Sequence, residues 1–231
     1  MNKEEIVMEG LFIEIIRKRN MKNLYIRVKE KGMVTVSAPA KWKDEDIKRL
    51  IFKNLSKIRK MRDRILDVER ERSKEYISGE YHYLWGKPYQ LQVNERGRKC
   101  KIEKTPTNIF FTVKEGTTRK EKEKVFVEWY RQELKKVLPT MAQECEKKTG
   151  ISANEFRIKN MKTRWGTCNV HEGRIWINLQ LAKKPMDCLE YVLIHELVHL
   201  LEKNHTSRFY RLVEDFYPTW KETKKRLDRT P

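Results

Sequence analysis

His195-Glu196-Leu197-Val198-His199-Leu200-Leu201-Glu202-Lys203-Asn204-His205 is the stretch on which the reading of this chain turns. It belongs to a segment, Met186 to Lys203, in which Met186, Leu189, Val192, Leu193, Ile194, Leu197, Val198, Leu200 and Leu201 leave almost no polar face. Such a segment is expected to be a helix running through the protein interior. His195, Glu196 and His199 interrupt it. Burying three polar groups without partners costs on the order of several kcal/mol, against a total fold stability of about 5–15 kcal/mol. The spacing supplies a partner. On a helix the imidazoles of His195 and His199 stand one above the other, and Glu196 is turned about 100° away. In this H-E-x-x-H pattern neutral imidazoles bind Zn²⁺ and the glutamate acts on a metal-bound water.

A hydrolytic zinc needs three protein ligands, and His205 is the expected third. It follows His199 too closely to share the face of a continuing helix, so the chain must turn first. Asn204, which enters the left-handed conformation readily, is the expected stop. Thr206 then caps the next helix, whose Phe209, Leu212, Val213 and Phe216 pack it back. Glu214 and Asp215 are the alternatives should His205 point away, and Cys168 is a further, weaker candidate. His82 and His171 fall in expected turns and read as surface residues.

Outward from this stretch, the 231 residues are 39% apolar and 10% aromatic, enough for one sizeable core or two lobes. No run approaches the roughly 20 apolar residues that span a bilayer. The opening Met1-Asn2-Lys3-Glu4-Glu5 is too charged for a secretory leader, so no membrane partner is expected and the expected compartment is cytoplasmic. Cys100, Cys145, Cys168 and Cys188 form no CxxC pair and read as free thiols. The net charge of +19 is spread over the whole length. That excess either attracts acidic partners, such as nucleic acid, nucleotides or an anionic protein surface, or only keeps the protein soluble.

The remaining elements follow from periodicity. Leu11–Ile16, Leu24–Val28 and Val34–Val36 read as an antiparallel meander. Ile47, Leu50, Ile51, Leu55, Ile58, Met61, Ile65 and Val68 mark a long amphipathic helix from about Asp44 to Lys74, its other face rich in Lys and Arg. Two or three strands are expected between Tyr81 and Val113. A second long helix is capped by Thr118 or a neighbour, buries Phe126, Tyr130 and Leu134, is perturbed at Pro139 and stops near Gly150. Two strands, Phe156–Thr167 and Arg174–Leu179, precede three closing helices. The expected class is α+β: an antiparallel β-rich N-terminal lobe with long helices over 1–115, and a minimal zincin-like lobe over 116–231 with the metal helix buried, the two being separate or one continuous domain.

Several stretches carry a family resemblance: Arg164-Trp165-Gly166-Thr167-Cys168, Ile175-Trp176-Ile177-Asn178-Leu179, Pro185, Tyr191 through His199, Asn204-His205, Phe209 and Pro218-Thr219-Trp220. Fainter echoes are Met21 through Val28, Ser37-Ala38-Pro39, Gly79-Glu80 and Leu84-Trp85-Gly86-Lys87. On these residues the chain resembles the YgjP-like zinc metallopeptidases, relatives of the WLM and SprT-like proteases, with Thr167 where that family more usually has Ser. The resemblance implies His195, His199 and His205 as ligands, Glu196 as base, and a cleft bordered by the strand around Arg164 and Trp165. The ligand spacing also fits metzincins, but those carry Gly at the place of Glu202 and a Met-turn after the third histidine, whereas the last methionine here is Met186.

Arg164, Trp165 and Tyr191 are candidates for substrate binding or transition-state stabilisation. Arg164 is placed to stabilise an oxyanion or to serve as a structural hydrogen bonder. Tyr191, one turn before His195, reaches the site or packs in the core. Three functions stay open: a zinc metallopeptidase using a zinc-bound water activated by Glu196, with a peptide or protein substrate; a metal-dependent hydrolase of a nucleotide or another acidic, phosphorylated small molecule; and a basic nucleic-acid-binding module with structural zinc.

Overall fold

A computed structural model describes residues 3–72 and 74–228. Two compact units emerge, one running to Lys74 and including Asp228, the other from Glu75 to Leu227. The composition reading set its division at 115/116. The strands between those two points have side chains, among them Leu84, Leu91 and Phe111, that lie in one core with Phe126, Leu193 and Phe209.

The first unit contains β1 (Lys3–Met8), β2 (Leu11–Lys18), β3 (Tyr25–Val28) and β4 (Val34–Pro39), in the sheet order β1-β2-β4-β3, followed by α1 (Asp44–Arg72). Alternation puts Leu11, Ile13, Ile15, Val34, Val36 and Ala38 on the face that α1 covers with Ile47, Ile51, Leu55 and Ile58. The expected antiparallel meander is corrected: β2 and β4 are parallel neighbours, with Ile13 opposite Val34 and Ile15 opposite Val36. Among the described residues only β4 pairs with the short β3. Alternation tells which face of a strand is buried and nothing about the direction of its neighbour. Of the expected α1 series, Ser73 and the side chain of Val68 lie outside the described residues.

In the second unit β5 (Tyr81–Leu84), β6 (Lys87–Asn94), β7 (Lys101–Lys104) and β8 (Asn108–Thr112) form a sheet of order β5-β6-β8-β7, with β6 and β8 parallel. α2 (Arg119–Thr149) opens on a reciprocal cap between Thr118 and Glu121 and ends on left-handed Gly150, as its sequence signals require. A smaller sheet follows, β9 (Glu155–Lys159), β10 (Gly166–Asn169) and β11 (Arg174–Asn178), in the order β10-β11-β9. The single strand expected over 156–167 is therefore two, broken at 160–165, with β9 parallel and β10 antiparallel to β11.

A 3-10 turn at Leu179–Lys183 leads into α3 (Met186–Val198), then α4 (Ser207–Phe216) and α5 (Trp220–Leu227). The turn between β5 and β6 docks on that approach: Trp85 and Gly86 donate their amides to the carbonyls of Ala182 and Lys183 at 2.8 and 3.2 Å. A β-carbon on Gly86 would lie 2.7 Å from Pro185 Cγ, so glycine lets the turn close on the start of α3. The α+β class is as expected. Among the described residues no helix is long and apolar enough to cross a membrane.

His82 departs from its expected surface turn. It sits in β5 at 1% exposure, its ring 4.5 Å from that of Phe126 and its Nε2 3.3 Å from the Glu80 carboxylate. Turn residues end at Glu80, and the period-two alternation of β5 then directs position 82 inward between exposed Tyr81 and half-buried Tyr83.

Candidate metal centre

α3 is interior because Leu189, Val192, Leu193, Ile194, Leu197 and Val198 are at most 3% exposed, packed against α2, α4, α5 and β11. It stops earlier than its composition suggests. Regular helix ends at Val198, and Leu200 and Leu201 donate to Leu197 and Val198 in tightened three-residue bonds. Asn204 is not left-handed; the non-glycine residues with positive φ are Glu9, Lys31, Tyr76 and Trp85 among those described. The reversal is made by the tightened turn and by the Thr206 amide on the Asn204 carbonyl at 2.7 Å. The Thr206 side chain then accepts from the Phe209 amide, capping α4 as expected.

That reversal brings His205 back over the helix. One ring nitrogen each from His195, His199 and His205 lies within 4.8 Å of the others. Phe209, fully buried, is the common floor, its centroid 4.9, 4.6 and 4.7 Å from the three imidazoles in chain order. The Nε2 atoms of His195 and His205 are 3.1 Å apart. His199 Nδ1 lies 3.2 Å from the Glu202 carbonyl, which can only accept, so Nδ1 carries the proton and Nε2 keeps its lone pair.

The electrostatics favour neutral imidazoles. Burial first, then the charges of His199, His205 and Lys224, push His195 down to about 3. Burial also lowers His199 and His205. Neutral imidazole is the form that binds a cation. His195 Nδ1 is buried without a hydrogen-bond partner among the described residues, and its Nε2 meets another imidazole. A tetrahedral zinc with nitrogens at 2.0–2.1 Å sets adjacent ligand atoms about 3.3 Å apart, near the 3.1 Å between the Nε2 atoms of His195 and His205, and all three ligand atoms lie within 4.8 Å of one another. The donor set fits such an ion.

Glu196 points to a different neighbour. It is 5% exposed, and burial raises its carboxyl to about 8, the positive charge of Arg164 pulling the other way. Its side chain lies against β10: a β-carbon on Gly166 would sit 2.6 Å from Oε1 and 2.7 Å from Cγ. Glycine is required there for the carboxylate to approach the strand. In the sequence Gly166 carries no assigned role, although glycine inside a strand signals close approach.

Asn178 was missed in the same way. It is 3% exposed and its amide donates to the carbonyls of Met161 and Arg164 at 2.9 and 2.6 Å, while its Oδ1 accepts from the amides of Met161 and Gln180. Its own amide donates to Trp165 O at 2.9 Å. One side chain thus fixes the irregular 160–165 segment that delivers Arg164, Trp165 and Gly166 to the site.

The other candidates separate. Arg164 is exposed, close enough to act on Glu196 electrostatically. Trp165 is half-buried with Lys184 Nζ 5.5 Å from its ring centroid. Tyr191 is 4% exposed and packs between His195 and Tyr217, a core residue touching the cluster. Cys168 is not in the triad; burial and then the Glu196 charge push its thiol up to about 11. Glu214 pairs with Lys221 at 3.0 Å, and neither it nor Asp215 joins the histidines. His171 is exposed in the turn before β11.

A mixed α+β chain in which three imidazoles converge, the first of them followed in sequence by a buried carboxylate, has the make-up of a metal-dependent peptidase. The model of the YgjP-like family's metallopeptidase domain matches residues 22–230, and the chain belongs to that family. No curated protein matches the chain. Among solved structures, the metallopeptidase zymogen abylysin from Pyrococcus abyssi is similar at 26% identity, over 38% of this chain and 90% of that one, with a TM-score of 0.36.

Proposed function

We propose that the protein is a zinc metallopeptidase in which His195, His199 and His205 hold the ion and Glu196 is the general base and acid. The observation that supports this best is the convergence of three ring nitrogens, while the carboxylate that follows His195 in the chain stays out of the converging group and lies against Gly166. When bound, the cation supplies Lewis acidity, lowering the pKa of a water and polarising a carbonyl. Burial, opposed by the charge of Arg164, holds the Glu196 carboxyl at about 8, which poises it for proton transfer near neutral pH. Glu196 then takes a proton from water as the water oxygen bonds to the scissile carbonyl carbon, and returns it to the leaving amine as the C–N bond breaks. β10 is an edge strand, so its free side can pair with an extended peptide, with Arg164 at its entrance. No fourth His, Cys, Asp or Glu joins the triad among the described residues, which favours an open site over a closed structural one.

Zinc-loaded protein should cleave an unstructured protein such as casein while leaving nucleoside triphosphates intact. Glu196→Gln should retain metal and lose roughly 10²–10⁴-fold in turnover. Triphosphate hydrolysis without proteolysis would overturn the reading, as would near-normal cleavage by the Gln variant.

A further inference from the structure

The first unit carries a surface that the metal site does not use. Between Asp46 and Asp63 the sequence has seven Lys or Arg residues and no acidic one. In α1 the buried line is Ile47, Ile51, Leu55 and Ile58. At 100° per residue, Arg49, Lys53 and Lys60 fall within about 40° of one another on the opposite side, along roughly 16 Å of helix. All three are exposed, and none forms an ion pair among the described residues. Phe52 stands beside this line at 63% exposure, a large aromatic that the core does not claim.

A row of unneutralised cations repels itself, so selection for solubility alone would disperse it among acids, as α2 does with the pairs Arg119–Glu123, Arg131–Glu128 and Lys136–Glu133. The row is complementary to a polyanion of extended shape. A membrane surface is a poor fit, because a helix that lies in the headgroup region needs its apolar face free, and here that face is 0–8% exposed. The exposed phenyl ring discriminates further. A base presents a ring face for stacking when its strand is single, and aromatic side chains interleaved with cations are the means by which single strands are bound without sequence preference.

We propose that this face of α1 binds single-stranded nucleic acid, with Arg49, Lys53 and Lys60 on the phosphates and Phe52 stacked on a base. The proposal is independent of the zinc reading. The test is fluorescence anisotropy of the full chain with a labelled oligothymidylate of about 20 nucleotides, long enough to span the roughly 4–16 nucleotides that such surfaces cover. Binding should weaken with salt, and Arg49→Glu/Lys53→Glu/Lys60→Glu should reduce affinity at least tenfold and flatten the log–log salt slope by about 2, as three lost phosphate contacts require. Phe52→Ala should weaken the single strand roughly five- to tenfold. Circular dichroism checks the fold of each variant, and the corresponding Gln triple carries the test if charge reversal disturbs it. Unchanged affinity in the folded triple variant would overturn the proposal. So would binding of polyglutamate, of anionic vesicles or of a DNA duplex as tight as that of the oligothymidylate and equally indifferent to Phe52.

Discussion

Two histidines in the second unit are buried in opposite ways. His82 sits in a strand with a carboxylate at its Nε2 and an aromatic ring against its face, so the fold itself satisfies it. His195 sits in a helix with one nitrogen unpartnered and the other facing a second imidazole, and burial pushes its protonation far below the physiological range. The lesson is that burial of a polar side chain says little by itself. What separates a structural residue from a functional one is whether the protein closes its hydrogen-bonding account without a ligand.

The sharpest way to break this comparison is to exchange the losses. His199→Ala should abolish stoichiometric metal and reduce turnover by more than about 10³-fold, since the triad becomes a pair. His82→Phe should leave metal content unchanged and lower stability by about 1–3 kcal/mol, read as a fall in the urea midpoint, because Glu80 loses a buried partner. If His82→Phe released the metal, the distinction between the two environments would be wrong.

A smaller effect is expected at Gly166→Ala. The added methyl meets the Glu196 carboxylate, so turnover should fall roughly 10- to 100-fold while zinc remains bound, with a stability loss of about 1–3 kcal/mol from overpacking. Wild-type kinetics in this variant would mean that Glu196 does not need its position against β10.

The smallest effect is in the metal-free protein. Glu196 titrates near 8 in the fold and near 4.5 when unfolded, so the folded state holds a proton that the unfolded state has released between those values. Its contribution is complete below 4.5 and is lost as pH rises to 8. His195, depressed from 6.5 to about 3, acts in reverse: its contribution is complete above 6.5 and is lost as pH falls toward 3. The apo site is therefore destabilised from both sides. Glu196→Gln should raise the apo melting midpoint by a few degrees at pH 8 relative to wild type, with the gap closing by pH 4.5. A constant gap across that range would show that the carboxyl is not raised.

What the sequence reveals here depends on how local the determining physics is. The caps of α2 and α4, the buried face of α1 and the His195–His199 pair are set by three- and four-residue spacings, and all could be read directly. His205 could be read because its spacing forbids a continuing helix, although the turn that delivers it is made by tightened bonds at Val198–Leu201 and not by a left-handed Asn204. The parallel pairings β2–β4 and β6–β8 join segments whose patterns carry no sign of direction. β1 carries no period-two signal, because Lys3-Glu4-Glu5 open it in a row and the outward position between Ile6 and Met8 is the apolar Val7. Gly166 and Asn178 act through contacts with distant segments, so a glycine within a strand signals a close approach without naming the Glu196 carboxylate as its partner, and Asn178 reads as an ordinary strand-end asparagine.

The most direct test of the central claim is zinc titration of the metal-free chain by calorimetry, paired with elemental analysis of the loaded protein. We expect close to one zinc per chain, a rise in melting temperature on loading, and loss of both in His199→Ala. A wild-type protein that folds normally, takes up no transition metal under loading conditions and melts at the same temperature with and without zinc would contradict it.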